Sequence, residues 1–140
     1  MMPDSASSGS GPLPGGVVSK VAAGTVAEVT ARFRRLLEDK GVTVFAVIDQ
    51  AGAARSAGLD LRDTVLVIFG NPAAGTPVMA AAPLAALDLP LKLLIWDDAG
   101  TTRIAYYSPE SIAERHRLHP DTAAGLAAIH PLTDVLGLVG

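Results

Sequence analysis

Two short runs constrain this chain more than anything else in it. "VTVFAVI" at 42–48 and "TVLVIF" at 64–69 carry apolar side chains at both alternations of an extended backbone. A strand of that kind is expected inside a sheet covered on both sides, because neither face tolerates water well. The fold must therefore contain a sheet, and 42–48 is expected to be a central strand of it.

The segments around these runs fill in the rest. Val17–Val21 is a further strand. "TVAEVTARFRRLLEDKG" is the clearest helix: Thr25 and Glu28 have the spacing of a capping box, Val26, Val29, Phe33, Leu36 and Leu37 share one stripe, and Gly41 ends it. "AGAARSAG" reads as a short helix ending at Gly58. Thr76-Pro77 has the form of a helix start, with Thr as cap and Pro where its missing N–H is harmless. "LPLKLLIW" (89–96) and "TTRIAYY" (101–107) are expected to pair as a hairpin across "DDAG". Ser108-Pro109-Glu110 begins a helix to about Leu118, and two short helices split at Pro131 follow. The order predicts an α+β fold: a mixed sheet of about five strands, with the hairpin in it and helices packed on it.

The 140 residues suit one domain, with residues 1–16 ("MMPDSASSGSGPLPGG") a flexible tail and 17–140 the folded part. The tail has neither a basic start nor an apolar run, and no stretch of about 20 apolar residues exists to cross a membrane. A cytoplasmic location is expected. The absence of cysteine removes disulfides and thiolate chemistry, and a net charge of −3 argues against nucleic acid as a partner. Arg32, Arg34 and Arg35 are offset by Glu38 and Asp39 and read as a solvated helix face.

"FGNPAAGTPVM" at 69–79 resembles a phosphate loop at first sight. The resemblance fails where the chemistry lies, because Thr76 stands where the lysine belongs and Pro77 where the hydroxyl belongs. What remains is a glycine-rich turn at Gly70, Asn71 and Gly75, or a helix start near Thr76 whose free N–H groups attract an anion. Asp49 at a strand end is either a base or ligand anchor, or a helix cap. Asp88, among apolar neighbours, needs a partner if buried, and Lys92 or backbone amides near Gly70 are the candidates. His116 and His119 lack a third ligand at metal spacing, so neither metal nor cofactor is expected.

Four segments together, "VFAVIDQAGAARSAGL", "VLVIFGNPAAGTPVM", "ALDLPLKLLIWDD" and "ERHRL", resemble the domain-of-unknown-function 302 family in its short single-domain bacterial form, over about Val18 to Leu138. The resemblance implies an α+β domain that pairs into homodimers and has no assigned activity. The family's recurrent residues fall on Asp49, Gly70, Asn71, Pro72, Gly75, Thr76, Pro77, Asp88, Leu89, Pro90, Trp96 and His116. Gln50 stands where relatives commonly carry histidine; it hydrogen-bonds but does not titrate, which weighs against catalysis.

The combined expectation is a non-catalytic homodimeric binding module. Its small polar cleft would lie near the GNPxxGTP and DLP loops and take a small polar or anionic ligand. Asp49, Gln50, Gly70, Asn71, Gly75, Thr76, Asp88, Lys92 and His116 are the ligand candidates. The alternatives are an enzyme using Asp49 or Asp88 as base, and a structural or partner-docking module.

Overall fold

The computed structural model describes residues 11–137. Its strands are β1 (Gly11–Leu13), β2 (Val17–Val21), β3 (Thr43–Asp49), β4 (Thr64–Gly70), β5 (Leu91–Asp98) and β6 (Thr101–Tyr107). Its helices are α1 (Val26–Asp39), α2 (Gln50–Ser56), α3 (Pro72–Ala81), α4 (Pro109–Arg115), α5 (Pro120–Ala123) and α6 (Ile129–Asp134). The sheet order is β1-β2-β6-β5-β4-β3, so the α+β class stands.

The sheet is antiparallel at every pairing rather than mixed. The reason is the long crossover through α1. It carries the chain from β2 to the far edge, so β2 and β3 run the same way without touching. β3 to β6 then fill the gap as a meander. The 1–10 part of the expected tail lies outside the described residues, but Gly11–Leu13 pairs with Val17–Ser19 and extends the sheet.

Local chemistry explains most boundaries. Thr25 Oγ1 accepts from the Glu28 N–H at 3.1 Å, and Glu28 Oε1 accepts from the Thr25 N–H at 2.9 Å, closing the capping box of α1. The helix buries Val26, Val29, Phe33 and Leu37, and Phe33 meets Phe69 edge-to-face at 5.1 Å. The hairpin turns on Ala99 and Gly100, both at positive φ (52° and 97°), as a two-residue loop between right-twisted strands requires.

Four further expectations change. β3 is an edge strand, not a central one, and its residues alternate between exposed and half-buried. α3 begins at Pro72 with Asn71 as its cap, Oδ1 accepting from the Ala73 N–H at 3.0 Å. Asn71-Pro72 and Thr76-Pro77 are the same cap-plus-proline signal, and the earlier one wins, leaving Pro77 inside the helix. α4 stops at Arg115, where Arg117 takes a left-handed φ of 54°. Pro131 sits in the first turn of α6, where no intrahelical donor is required, so the break falls before Ile129.

The main core joins α1, Ile129 and Leu136 to one side of the sheet through Val67, Phe69, Leu93, Ile95, Ile104 and Tyr106. A second cluster (Val78, Ala85, Leu89, Ile112 and Leu126) ties α3 to α4 and the C-terminal turns.

Candidate functional site

Where β4 ends and α3 begins, the two clusters leave a cleft of about 180 Å³. One wall is the chain turn itself: Gly70, Asn71 and Pro72, then Gly75, Thr76 and Met79 along α3. Leu89, Pro90 and Leu91 form a second wall, and Gly125, Leu126, Ile129 and Leu132 a third, with Val42 and Phe45 at the β3 end. Glycine eases the approach at Gly125, where an added Cβ would stand 3.0 Å from the Ala74 Cβ, tighter than an ordinary contact. The small residue lets α3 and the 124–128 turn lie close together. At Gly75 a Cβ would meet Met79 and Leu89 at 3.9 and 4.0 Å, ordinary contact distances, so a small side chain fits there.

The chemistry of the lining is simple. Asn71 and Thr76 are its polar side chains, and no titratable side chain belongs to it. Asn71 Oδ1 is already committed to the α3 cap.

Of the residues singled out in the sequence, Gly70, Asn71, Gly75 and Thr76 meet in this cleft. Asp49 lies at the opposite end of β3, since Thr43 faces Gly70 across the pairing whereas Asp49 faces Val65. That separation is roughly 20 Å along the strand. Asp49 Oδ1 accepts from the Gly52 N–H at 2.9 Å, so it caps α2, and Gln50 is the first residue of that helix. Lys92 lies on β5, and its ammonium donates to the Pro90 carbonyl at 3.3 Å.

Asp88 and His116 do come together, with a third member. Asp88 Oδ2 accepts from Arg115 at 2.8 Å and lies 2.6 Å from His116 Nε2. Neither Lys92 nor the amides near Gly70 is its partner. Burial pushes the Asp88 carboxyl up, but the hydrogen bonds from His116 and Arg115 and their charge outweigh it and hold the group below its ordinary range. The cluster ties the segment leading into Leu89 and Pro90 to the end of α4. It therefore backs a wall of the cleft without lining it.

One constellation had no signal in the sequence. The Tyr106 hydroxyl meets His130 Nδ1 at 2.7 Å, and His130 Nε2 meets Glu110 Oε1 at 3.1 Å. Lys20 adds contacts to the His130 carbonyl, Thr133 Oγ1 (2.8 Å) and Asp134 (2.7 Å). These residues are scattered along the chain and fasten α6 to β2 and β6. A hydrogen bond from its own backbone N–H lowers the Glu110 carboxyl pKa, burial opposes this, and His130 reinforces it. Among the described residues no group of three or more His, Cys, Asp or Glu side chains is placed to hold a metal ion.

These features define an α+β domain whose antiparallel sheet carries its main core on one side and whose apolar cleft opens at the β4–α3 junction. The chain belongs to the family described as Domain of unknown function DUF302, whose profile matches residues 18–135. The crystal structure of an uncharacterized conserved DUF302 protein from Bacillus stearothermophilus shares the fold, with a TM-score of 0.73 at 22% identity over 86% of this chain and 95% of that one. Two similar sequences are named fluoride-specific ion channel FluC 1. The one from Brucella suis biovar 1 (strain 1330) is 36% identical over 104 residues, covering 74% of this chain and 41% of that protein. The one from Brucella abortus biovar 1 (strain 9-941) is 36% identical over 104 residues and is covered to 38%. The chain thus spans about two fifths of the length of these relatives. Among the described residues no helix is long and apolar enough to cross a membrane.

Proposed function

We propose that this chain is a non-catalytic homodimeric binding module, and that its cleft takes a small, mainly apolar ligand with one polar end. The observation that carries this reading is the lining: aliphatic and aromatic walls, Asn71 and Thr76 for polar contact, and no acid or base. A cavity near 150 Å³ with such walls holds a ligand of about benzene size, so about 180 Å³ suits a molecule slightly larger. The apolar walls favour such a ligand over the polar or anionic one that the glycine turn suggests. The carboxylates that a base mechanism would need are engaged elsewhere, Asp49 as a cap and Asp88 with Arg115 and His116.

The test is a methyl-detected NMR titration with benzene and, separately, with inorganic phosphate. Resonances of Met79, Leu89, Leu126 and Leu132 are expected to shift with benzene and to stay in place with phosphate. Shifts with phosphate alone would overturn the reading.

A second reading, a docking module that works beside an ion channel, draws on the names of the Brucella relatives together with the lack of a spanning helix among the described residues. A fluoride titration separates the two. Saturable movement of the Asn71 and Gly75 amides with sodium fluoride, absent with sodium chloride, would favour it over the apolar-ligand reading.

A further inference from the structure

The strands are apolar on both sides, but the main core occupies one. Along β4, β5 and β6 the side chains toward α1 are sealed: Val67, Leu93, Ile95 and Ile104 are each at 0% exposure. The side chains between them point the other way, and there Leu66, Ile68, Leu94, Trp96 and Ala105 all remain partly open, as do Ala46 and Ile48 on β3. Pairing sets them in rows. Ala105 faces Leu94, which faces Leu66, which faces Ile48, and Trp96 follows one row on.

We propose that the second copy of this chain docks on this face, sheet against sheet, with Ile48, Leu66, Leu94 and Trp96 at the centre; this rests on the homodimer reading and says where the copies meet. Three arguments favour a second copy. The first is extent. The four strands β3 to β6, about 4.8 Å apart and each contributing about five residues at 3.3 Å, give a flat area of roughly 300 Å² per copy. Side-chain relief raises the accessible area buried by two copies to about 1,000 Å² or more, the lower bound for a specific pair. The second is charge. Arg103 on this face donates from Nε to Asp98 at 2.7 Å, which matches its charge, and Lys92, which keeps its charge while donating to the Pro90 carbonyl, stands one row beyond Leu94 on the side away from Trp96, off the centre of the contact. The third is geometry, since an isologous contact between equal twisted sheets is the packing that sandwich proteins use internally.

Light scattering at micromolar concentration tests this, with wild type expected at twice the 14.3 kDa chain mass. Leu94→Glu is expected to give a folded monomer, with folding checked by circular dichroism. A monomeric wild type would overturn the homodimer reading itself, and the face with it. A dimeric wild type with an equally dimeric, folded Leu94→Glu would overturn the face alone. Should Leu94→Glu not fold, the chain's lack of cysteine allows a second measurement. In Ala105→Cys, alkylation by a bulky maleimide is expected to be at least tenfold slower in the dimer than after dilution to monomer. In Ala31→Cys, on the outer side of α1, the rate should not change. Equal rates at Ala105→Cys in both states would exclude this face.

Discussion

Replacing Asp88 with Asn removes a charge while leaving the shape. In the folded chain one oxygen, Oδ2, serves both Arg115 at 2.8 Å and His116 at 2.6 Å. The amide that replaces it is neutral, and its NH₂ has nothing to donate to on that side. A hydrogen bond to a charged group contributes about 1.5–3 kcal/mol when sheltered. His116 is sheltered, with its side chain 11% exposed, whereas Arg115 at 43% is screened and its share falls toward the ~0–1 kcal/mol of a surface pair. The expected loss is about 1–3 kcal/mol, or roughly 3–12 °C in melting temperature for a chain of this size. The assay is a thermal melt by circular dichroism at pH 7, with the exposed α1 substitution Glu38→Gln as a control that moves within ±0.5 kcal/mol or so. The pH dependence adds a second check. The Asp88 pKa is depressed in the folded state, so its contribution is complete above the ordinary value of 3.8 and is lost as pH falls through the lower folded value. The gap between wild type and Asp88→Asn should therefore close as pH drops below about 4. An unchanged melting temperature at pH 7, or a gap that persists unaltered at low pH, would refute the clamp.

Two further predictions concern the frame. Phe33→Ala removes a fully buried ring packed on Phe69 and should cost about 3–5 kcal/mol in denaturant unfolding, whereas Phe45→Ala, at a side chain 53% exposed, should cost far less. Ala99 holds a left-handed φ in the β5–β6 turn, so Ala99→Asn should raise stability by about 0.5–1 kcal/mol in the same assay, and a loss would contradict the assigned turn.

The sequence was most legible where the cause is local. The capping box at Thr25 and Glu28, the β5–β6 hairpin and the Ser108-Pro109 start of α4 are each decided within a few residues, and each stands as expected. Where two local signals compete, as at Asn71-Pro72 and Thr76-Pro77, the pattern alone does not rank them. Packing of Val78 against Ile112 and Leu126 belongs to the arrangement that does. The apolar run at 42–48 correctly announced a strand, but its edge position depends on where the α1 crossover lands. The cleft was legible by half. Gly70, Asn71, Gly75 and Thr76 share a cleft as their proximity suggests, while Leu126, Ile129 and Leu132 reach it from the other end of the chain. The apolar neighbours of Asp88 signal its need for a partner, but Arg115 is brought to it only by the fold.

The path of α1 from one edge of the sheet to the other has a consequence for how the chain can assemble. β3 through β6 are neighbours in sequence and in space, so that meander closes through short loops. β2 is made before all of them, yet Val17 has its partner in Tyr107 and Val21 in Arg103. During synthesis β2 must wait until almost the whole sheet has left the ribosome, while α1 finds its floor strand by strand on β3, β4 and β5. A chain interrupted before β6 would hold a meander lacking its last strand and a β2 cut off from it. The domain is therefore expected to mature as a single late event rather than to grow from its beginning.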